Sequence, residues 1–224
     1  MRTLTFLAVF AVLLSVPAAD ASGFGLGPNP WSGLDFKPVV GHWAEYQMTP
    51  AGEEPMTMRV SIVGQENDDY WYETVVTVEK QGQVITKMLV SGDPQDQKNL
   101  KRMIMKPAGE PAMEMPVQMM QGMGGPPQGE MPELPETAAV DLGVESVTVP
   151  AGTFKANHWQ FTTEDFVFDS WISADVSPYG VVRGVSKEFE MVLLSHGDGA
   201  KSLITEEPQA MSMPGFSMPG SGGK

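Results

Sequence analysis

Two segments decide the fold: His42-Trp43-Ala44-Glu45-Tyr46-Gln47-Met48 and Met56-Thr57-Met58-Arg59-Val60-Ser61-Ile62. His42, Ala44, Tyr46 and Met48 recur at every second position in the first. Met56, Met58, Val60 and Ile62 do so in the second, with Thr57, Arg59 and Ser61 between them. A period of two puts such residues on one side of an extended strand, whereas a helix would need spacings of three and four. Pro50, Gly52 and Pro55 lie between the segments and supply a turn. The pair therefore reads as two adjacent antiparallel strands, each with a largely apolar face.

The same grammar extends in both directions. Asp68-Asp69 leads into a strand from Tyr70 to Lys80, and Gln81-Gly82 turns the chain into Val84 to Ser91. Gly92 to Gln97 is a polar turn. Lys98 to Lys106 alternates basic and apolar residues and reads as an edge strand or a short helix, with Ala112 to Val117 pairing back on it. Further strands are predicted at Val144–Val149, Thr153–Thr163, Phe166–Ser173, Gly180–Ser186, Glu188–His196 and Lys201–Glu206. Turn signals recur every 8–12 residues or so, and no long stretch repeats at 3.6. The predicted fold is all-β: a single curved antiparallel sheet or half-barrel of about ten strands. An outer-membrane barrel fits less well, because the strands are short and the C-terminus lacks an aromatic strand end.

Composition marks the ends and the middle. Met1-Arg2-Thr3 is followed by the apolar run Leu4–Val16, then Pro17 and Ala19-Asp20-Ala21. This has the form of a secretory signal peptide over residues 1–21, cleaved after Ala21. The run falls short of the roughly 20 apolar residues that a spanning helix needs, so no transmembrane segment is expected after cleavage. The expected location is outside the cytoplasm, the periplasm first and the extracellular space second. Residues 22–40 read as a Gly/Pro-rich leader and 41–207 as the β domain. Residues 107–139 read as a flexible Met/Pro/Gly-rich insertion, and 208–224 as a disordered tail of similar composition.

Charge and chemistry narrow the function. Fourteen Lys and Arg against 28 Asp and Glu give a net charge of −14, which repels nucleic-acid phosphates. With no Cys, thiol nucleophiles and thiolate metal sites are excluded, and the fold must be held by packing. His42, His158 and His196 show no metal-ligand spacing, and Gly-X-Ser-X-Gly and phosphate-binding glycine loops are both absent. Asp68/Asp69, Glu164/Asp165 and Glu206/Glu207 fall at predicted turns, where acids are common. The sequence thus predicts a protein that is not an enzyme and has no cofactor.

Two residue sets point to binding. Trp43, Tyr46, Tyr70, Tyr72, Phe154, Trp159, Phe168 and Trp171 sit on predicted strands. On a helix-free concave face they would line a groove for an apolar small molecule or lipid. Methionine is the second set: Met113, Met115, Met119, Met120 and Met123 in the insertion, Met211 and Met213 in the tail. Thioether sulfur is a soft ligand that selects Cu(I), which makes a metal-handling envelope protein the alternative. Methionine is also an adaptable apolar residue that fills gaps. A third expectation is a structural or assembly factor of the envelope whose Met/Pro loop docks a partner protein.

The second half carries the phrase Val147-Thr148-Val149-Pro150-Ala151-Gly152-Thr153-Phe154-Lys155. It is followed by Ser170-Trp171-Ile172-Ser173, Val176-Ser177-Pro178-Tyr179-Gly180-Val181-Val182 and Leu193-Leu194-Ser195-His196-Gly197-Asp198-Gly199-Ala200-Lys201-Ser202. Together with Gly41–Tyr46, these segments resemble bacterial exported β-proteins of the DUF3108-like and LolA/LolB-like kind. The resemblance covers roughly Glu145 to Ser202 and implies a LolA-like curved sheet whose concave face holds an acyl chain. Little helix is available to lid such a sheet, and the Met-rich insertion departs from the lipoprotein carriers. No functional residue follows from the resemblance. The turns themselves are explained by Pro150 with Gly152 and by Pro178 with Gly180.

Overall fold

A computed structural model describes residues 38–92, 97–117, 138–162 and 167–210. Twelve strands form one sheet: β1 (Trp43–Pro50), β2 (Met56–Glu66), β3 (Asp69–Val78), β4 (Gly82–Val90), β5 (Leu100–Lys106), β6 (Met113–Met115), β7 (Ala138–Val149), β8 (Gly152–Thr162), β9 (Val167–Ile172), β10 (Val181–Val185), β11 (Phe189–Gly197) and β12 (Gln209–Ala210). Their order is β12-β6-β5-β4-β3-β2-β1-β11-β10-β9-β8-β7, so the sheet is open and curved. The predicted all-β class holds. The hairpin read first keeps its expected face: Ala44 stands opposite Val60, Tyr46 opposite Met58 and Met48 opposite Met56.

Several boundaries differ from the sequence reading. Met113–Met115, within the segment expected to pair back on Lys98–Lys106, does pair with β5, so this part of 107–139 is ordered in the sheet, and β7 begins at Ala138 rather than Val144. Residues 118–137 lie outside the described residues, as do 1–37 and 211–224 with the signal peptide, most of the leader and most of the tail. The tail is structured at its start, where Gln209–Ala210 runs parallel to β6, the one parallel pairing among the described ladders. Lys98–Lys106 resolves into a 3-10 turn at Gln97–Asn99 followed by β5. Lys201–Glu206, predicted as a strand, is a non-ladder segment laid across the sheet: the Ser202 hydroxyl and the Leu203 amide donate to the Glu73 side chain rather than to a neighbouring strand.

This segment acts as a strap. Ala200 N donates to Gly41 O at 2.8 Å, and Trp43 Nε1 donates to Asp198 O at 3.1 Å. Midway, the carboxyl group of Glu73, only 2% exposed, accepts from Ser202 Oγ at 2.6 Å and Leu203 N at 2.9 Å. Further on, Lys106 pairs with Glu206 at 2.6 Å, and Gln209 N donates to Ala112 O at 2.8 Å. Beneath the strap, Ile204 packs with Trp71, Val75, Ile85, Leu89 and Ile104. Burying one such aliphatic side chain contributes about 1.5–3 kcal/mol, so the strap is seated by packing as well as hydrogen bonds.

At the other end, the β7–β8 hairpin continues past its last ladder contact with β9 at Asn157. Its tip returns to the body as an arm. Ala151 N donates to Leu193 O at 3.3 Å, and the Phe154 ring meets His196 edge-on at 5.6 Å. Val147, Val149 and Ala156 join the core around Tyr46, Met191 and Leu193. The outer edge of β7 carries exposed Val140, Leu142 and Val144. A bulge at Asp141/Gly143, with Asp141 Oδ1 accepting from Gly143 N at 2.8 Å, bends this edge and blunts it against strand addition.

Three ion pairs tie the β5–β6 end together: Lys101–Asp69 at 2.7 Å, Arg102–Glu114 at 2.7 Å and Lys106–Glu206 at 2.6 Å. In each, the hydrogen bond from the cation holds the carboxyl below the usual carboxylate range. Such groups contribute stability above their unfolded-state pKa, and that contribution is lost as pH falls through the lowered folded value. Wild type should therefore exceed Arg102→Met in urea midpoint at neutral pH, and the gap should narrow on acidification. A gap that stays constant into strong acid would show that the Arg102–Glu114 pair is not its source.

Candidate functional site: the methionine and aromatic face

Alternation along paired strands sorts the side chains onto two faces. One row runs Met191, Met48, Met56 across β11, β1 and β2; another runs Tyr72, Met88, Met103, Met115 across β3 to β6. Met58 opposite Tyr46 and Met105 opposite Met113 belong to the same side. Every methionine among the described residues thus falls on one face. Through Met191–Gly184–Ser170–Trp159 that face continues across β10, β9 and β8, where it gains Phe168 and Phe161. The opposite face carries Trp43, Trp71 and Trp171 under cations: Arg59 lies 3.9 Å over Trp43, Lys87 4.8 Å over Trp71 and Arg183 5.4 Å over Trp171.

The predicted groove residues are therefore divided. Tyr46, Tyr70, Tyr72, Trp159 and Phe168 share the methionine face. Trp43 and Trp171 do not; the pleat stands them on the other side, so the eight do not line one surface as expected, although Trp171 also packs against the cluster that holds Tyr46 and Met191. The reason is the pleat: Trp43 is three residues from Tyr46 and Trp171 three from Phe168, and an odd spacing places strand residues on opposite faces. Phe154 reaches the core from the arm. Tyr46, Tyr72 and Phe168 are each 1% exposed, so the face is covered. Val147, Val149 and Ala156 of the arm, and Val176 and Tyr179 of the β9–β10 connection, belong to or pack on the same buried cluster as Tyr46 and Met191.

Within this face, the hydroxyls of Tyr46 and Ser170 are buried and make no hydrogen bond. Burial pushes the Tyr46 phenol's pKa well up, so it stays a neutral donor. Leaving such a group unpaired costs about 1–3 kcal/mol, which singles both positions out. Ser170 stands opposite Gly184, Gly184 opposite Met191, and Met191 opposite Met48, two residues from Tyr46. Both hydroxyls thus lie in the same quarter of the sheet. Sequence reasoning missed Ser170, because nothing local distinguishes a strand serine on the core side from one on the solvent side.

The opposite face holds a polar cluster. His158 Nε2 lies 2.8 Å from Asp169 Oδ1 and Nδ1 lies 3.1 Å from Glu145 Oε1. The His158 ring stacks on Trp171 at 4.3 Å, and Trp171 Nε1 donates to Glu145. Gln160 Nε2 donates to the same Asp169 oxygen at 3.1 Å. Both ring nitrogens are taken, so His158 is a structural linker of β7, β8 and β9. His196 is an aromatic neighbour of Phe154. Among the described residues, no group of three or more His, Asp or Glu is placed to hold a metal ion. Of the methionines predicted as metal ligands, Met113 and Met115 lie in β6; Met119, Met120, Met123, Met211 and Met213 lie outside the described residues. Among the described residues no helix is long and apolar enough to cross a membrane.

No family model matches the chain, and no curated protein resembles it in sequence. Solved structures overlap with it loosely. One is a protein taken to be exported, with a YmcC-like fold, from Bacteroides fragilis: 13% identity, TM-score 0.32, 73% of this chain and 98% of that one. MucB overlaps at 7% identity and TM-score 0.41, over 72% of this chain and 55% of its own. The hypothetical protein CT021 from Chlamydia trachomatis overlaps at 10% identity and TM-score 0.43, over 80% of this chain and 95% of its own. Overlaps and identities this low carry no information about function.

Proposed function

We propose that this is an exported, non-enzymatic envelope protein that holds an apolar molecule with a polar head against its methionine and aromatic face. The observation that carries the reading is the pair of buried, unpartnered hydroxyls, Tyr46 and Ser170, set among methionine and aromatic side chains. A carboxylic acid or ester head would accept from them while its chain lies along methionine side chains, which adapt to irregular shapes. Entry would part the buried cluster that the arm joins; the arm's tip hydrogen bond, Ala151 to Leu193, is long at 3.3 Å. Export is supported by the form of residues 1–21.

The test combines native mass spectrometry of protein from its own host with titration of a fluorescent fatty acid. Wild type should carry or take up the acid. Tyr46→Phe/Ser170→Ala should bind it more weakly while unfolding at higher urea, because the variant no longer buries unpaired hydroxyls. Purely structural hydroxyls would give the reverse: lower stability and unchanged uptake. A wild type that carries no lipid and takes up no acid would end the proposal.

A further inference from the structure

We propose that β5 and β6 carry a soft-metal site in which the thioethers of Met103, Met105, Met113 and Met115 bind Cu(I). Met103 stands opposite Met115 and Met105 opposite Met113, so the four form a two-by-two array on one face. Directly opposed residues have Cβ atoms about 4.5–5.5 Å apart, and neighbours two along a strand are about 7 Å apart. Each sulfur sits two bonds beyond Cβ on a freely rotating stem, so four sulfurs can converge over the centre of the array. Met88, opposite Met103, adds a fifth thioether at its border.

The array differs from most other methionines of this face. Met48, Met58, Met88 and Met191 belong to or pack on the core clusters; none of the four array residues is a member, although Met103 is buried at 8% exposure. Met191 is 2% exposed, but Met105, Met113 and Met115 are only half-buried, within reach of an ion from solvent. Methionine is also an odd choice for packing alone on these paired strands, since β-branched and aromatic residues suit a pleated surface better.

The chemistry is selective. Thioethers are soft and neutral; they favour Cu(I) over Zn(II), Mg(II) or Ca(II). Binding is ligand addition alone: copper stays Cu(I), no bond breaks, and no proton is released because a thioether carries none. Uptake should therefore persist in mild acid, where histidine and carboxylate sites release metal. Glu114, between Met113 and Met115, points to the other face and pairs with Arg102, so it does not draw hard cations into the array.

The experiment is an anaerobic Cu(I) titration of the full chain in competition with a chromophoric Cu(I) chelator. Wild type is compared with Met103→Leu/Met105→Leu/Met113→Leu/Met115→Leu, a nearly volume-conserving change. Wild type should withdraw Cu(I) from the chelator, and X-ray absorption should show a sulfur-only shell. The folded quadruple variant should lose both. A wild type that withdraws no Cu(I), or a folded quadruple variant that withdraws as much, would overturn the site. If the quadruple variant fails to fold, Met105→Leu/Met113→Leu replaces it, and unchanged affinity there has the same meaning. The titration is independent of fatty-acid uptake, so either proposal can fail without the other.

Discussion

Replacing Phe168 with alanine should lower the unfolding free energy by about 3–5 kcal/mol, the range for deleting a buried aromatic ring. Phe168 is 1% exposed and lies between Phe189 at 5.7 Å and Phe161 at 6.3 Å. Its ring also lies over Gly184, where a Cβ would approach it to 2.9 Å. Glycine there is thus a space requirement, and the ring fills the room it leaves. The void in Phe168→Ala is flanked by backbone on two hydrogen-bonded strands, β9 and β10, which cannot collapse without breaking their ladder. Urea unfolding would report the loss as a lower midpoint at unchanged slope. Val144→Ala is the internal comparison: Val144 is 68% exposed and should shift stability by no more than about 0.5 kcal/mol. Similar losses in the two variants would mean that the methionine face is not the packed core described.

Glu73→Ala should be the second large effect, about 2–4 kcal/mol, because two hydrogen bonds to the carboxyl group are lost and the Leu203 amide loses its acceptor. The carboxyl group accepts from a hydroxyl and a backbone amide of the strap, both part-buried. Ser202→Ala removes only one of these and should cost about 1 kcal/mol. The two effects should not add, since both act through one contact, and a double-mutant cycle would measure the coupling. The distinctive readout is local. In Glu73→Ala, proteolytic cleavage between residues 200 and 207 should accelerate before global unfolding, as expected for a segment that opens on its own. Cleavage no faster than in wild type would show that Ile204 packing alone holds the strap.

Much of the fold was legible because period-two patterns are local. The alternation over His42–Met48 and Met56–Ile62 specified two strands and the face each buries, and the register confirms both. The Pro150–Gly152 and Pro178–Gly180 turns fell where their chemistry requires. The candidate site was half legible. The odd spacing of Trp43 from Tyr46, and of Trp171 from Phe168, already separates these aromatics between faces. Pooling them by residue type hid that. Met113 and Met115 sit among Pro, Gly and Glu, so their strand was legible only as a segment pairing back on Lys98–Lys106; that Met113 faces Met105 and Met115 faces Met103 follows from the register.

The sequence alone determined the strand pattern, the absence of thiol chemistry and the acidic charge, all of which depend only on residue identity and near neighbours. Tertiary structure decided which distant residues meet. Glu73 and Ser202 are 129 positions apart, and a buried acid looks like any other until its partners fold over it. The strap, the arm, the unpartnered hydroxyls and the methionine array all arise from strand order and from segments that cross the sheet. No local propensity encodes these, because loop closure and packing across the whole chain select them.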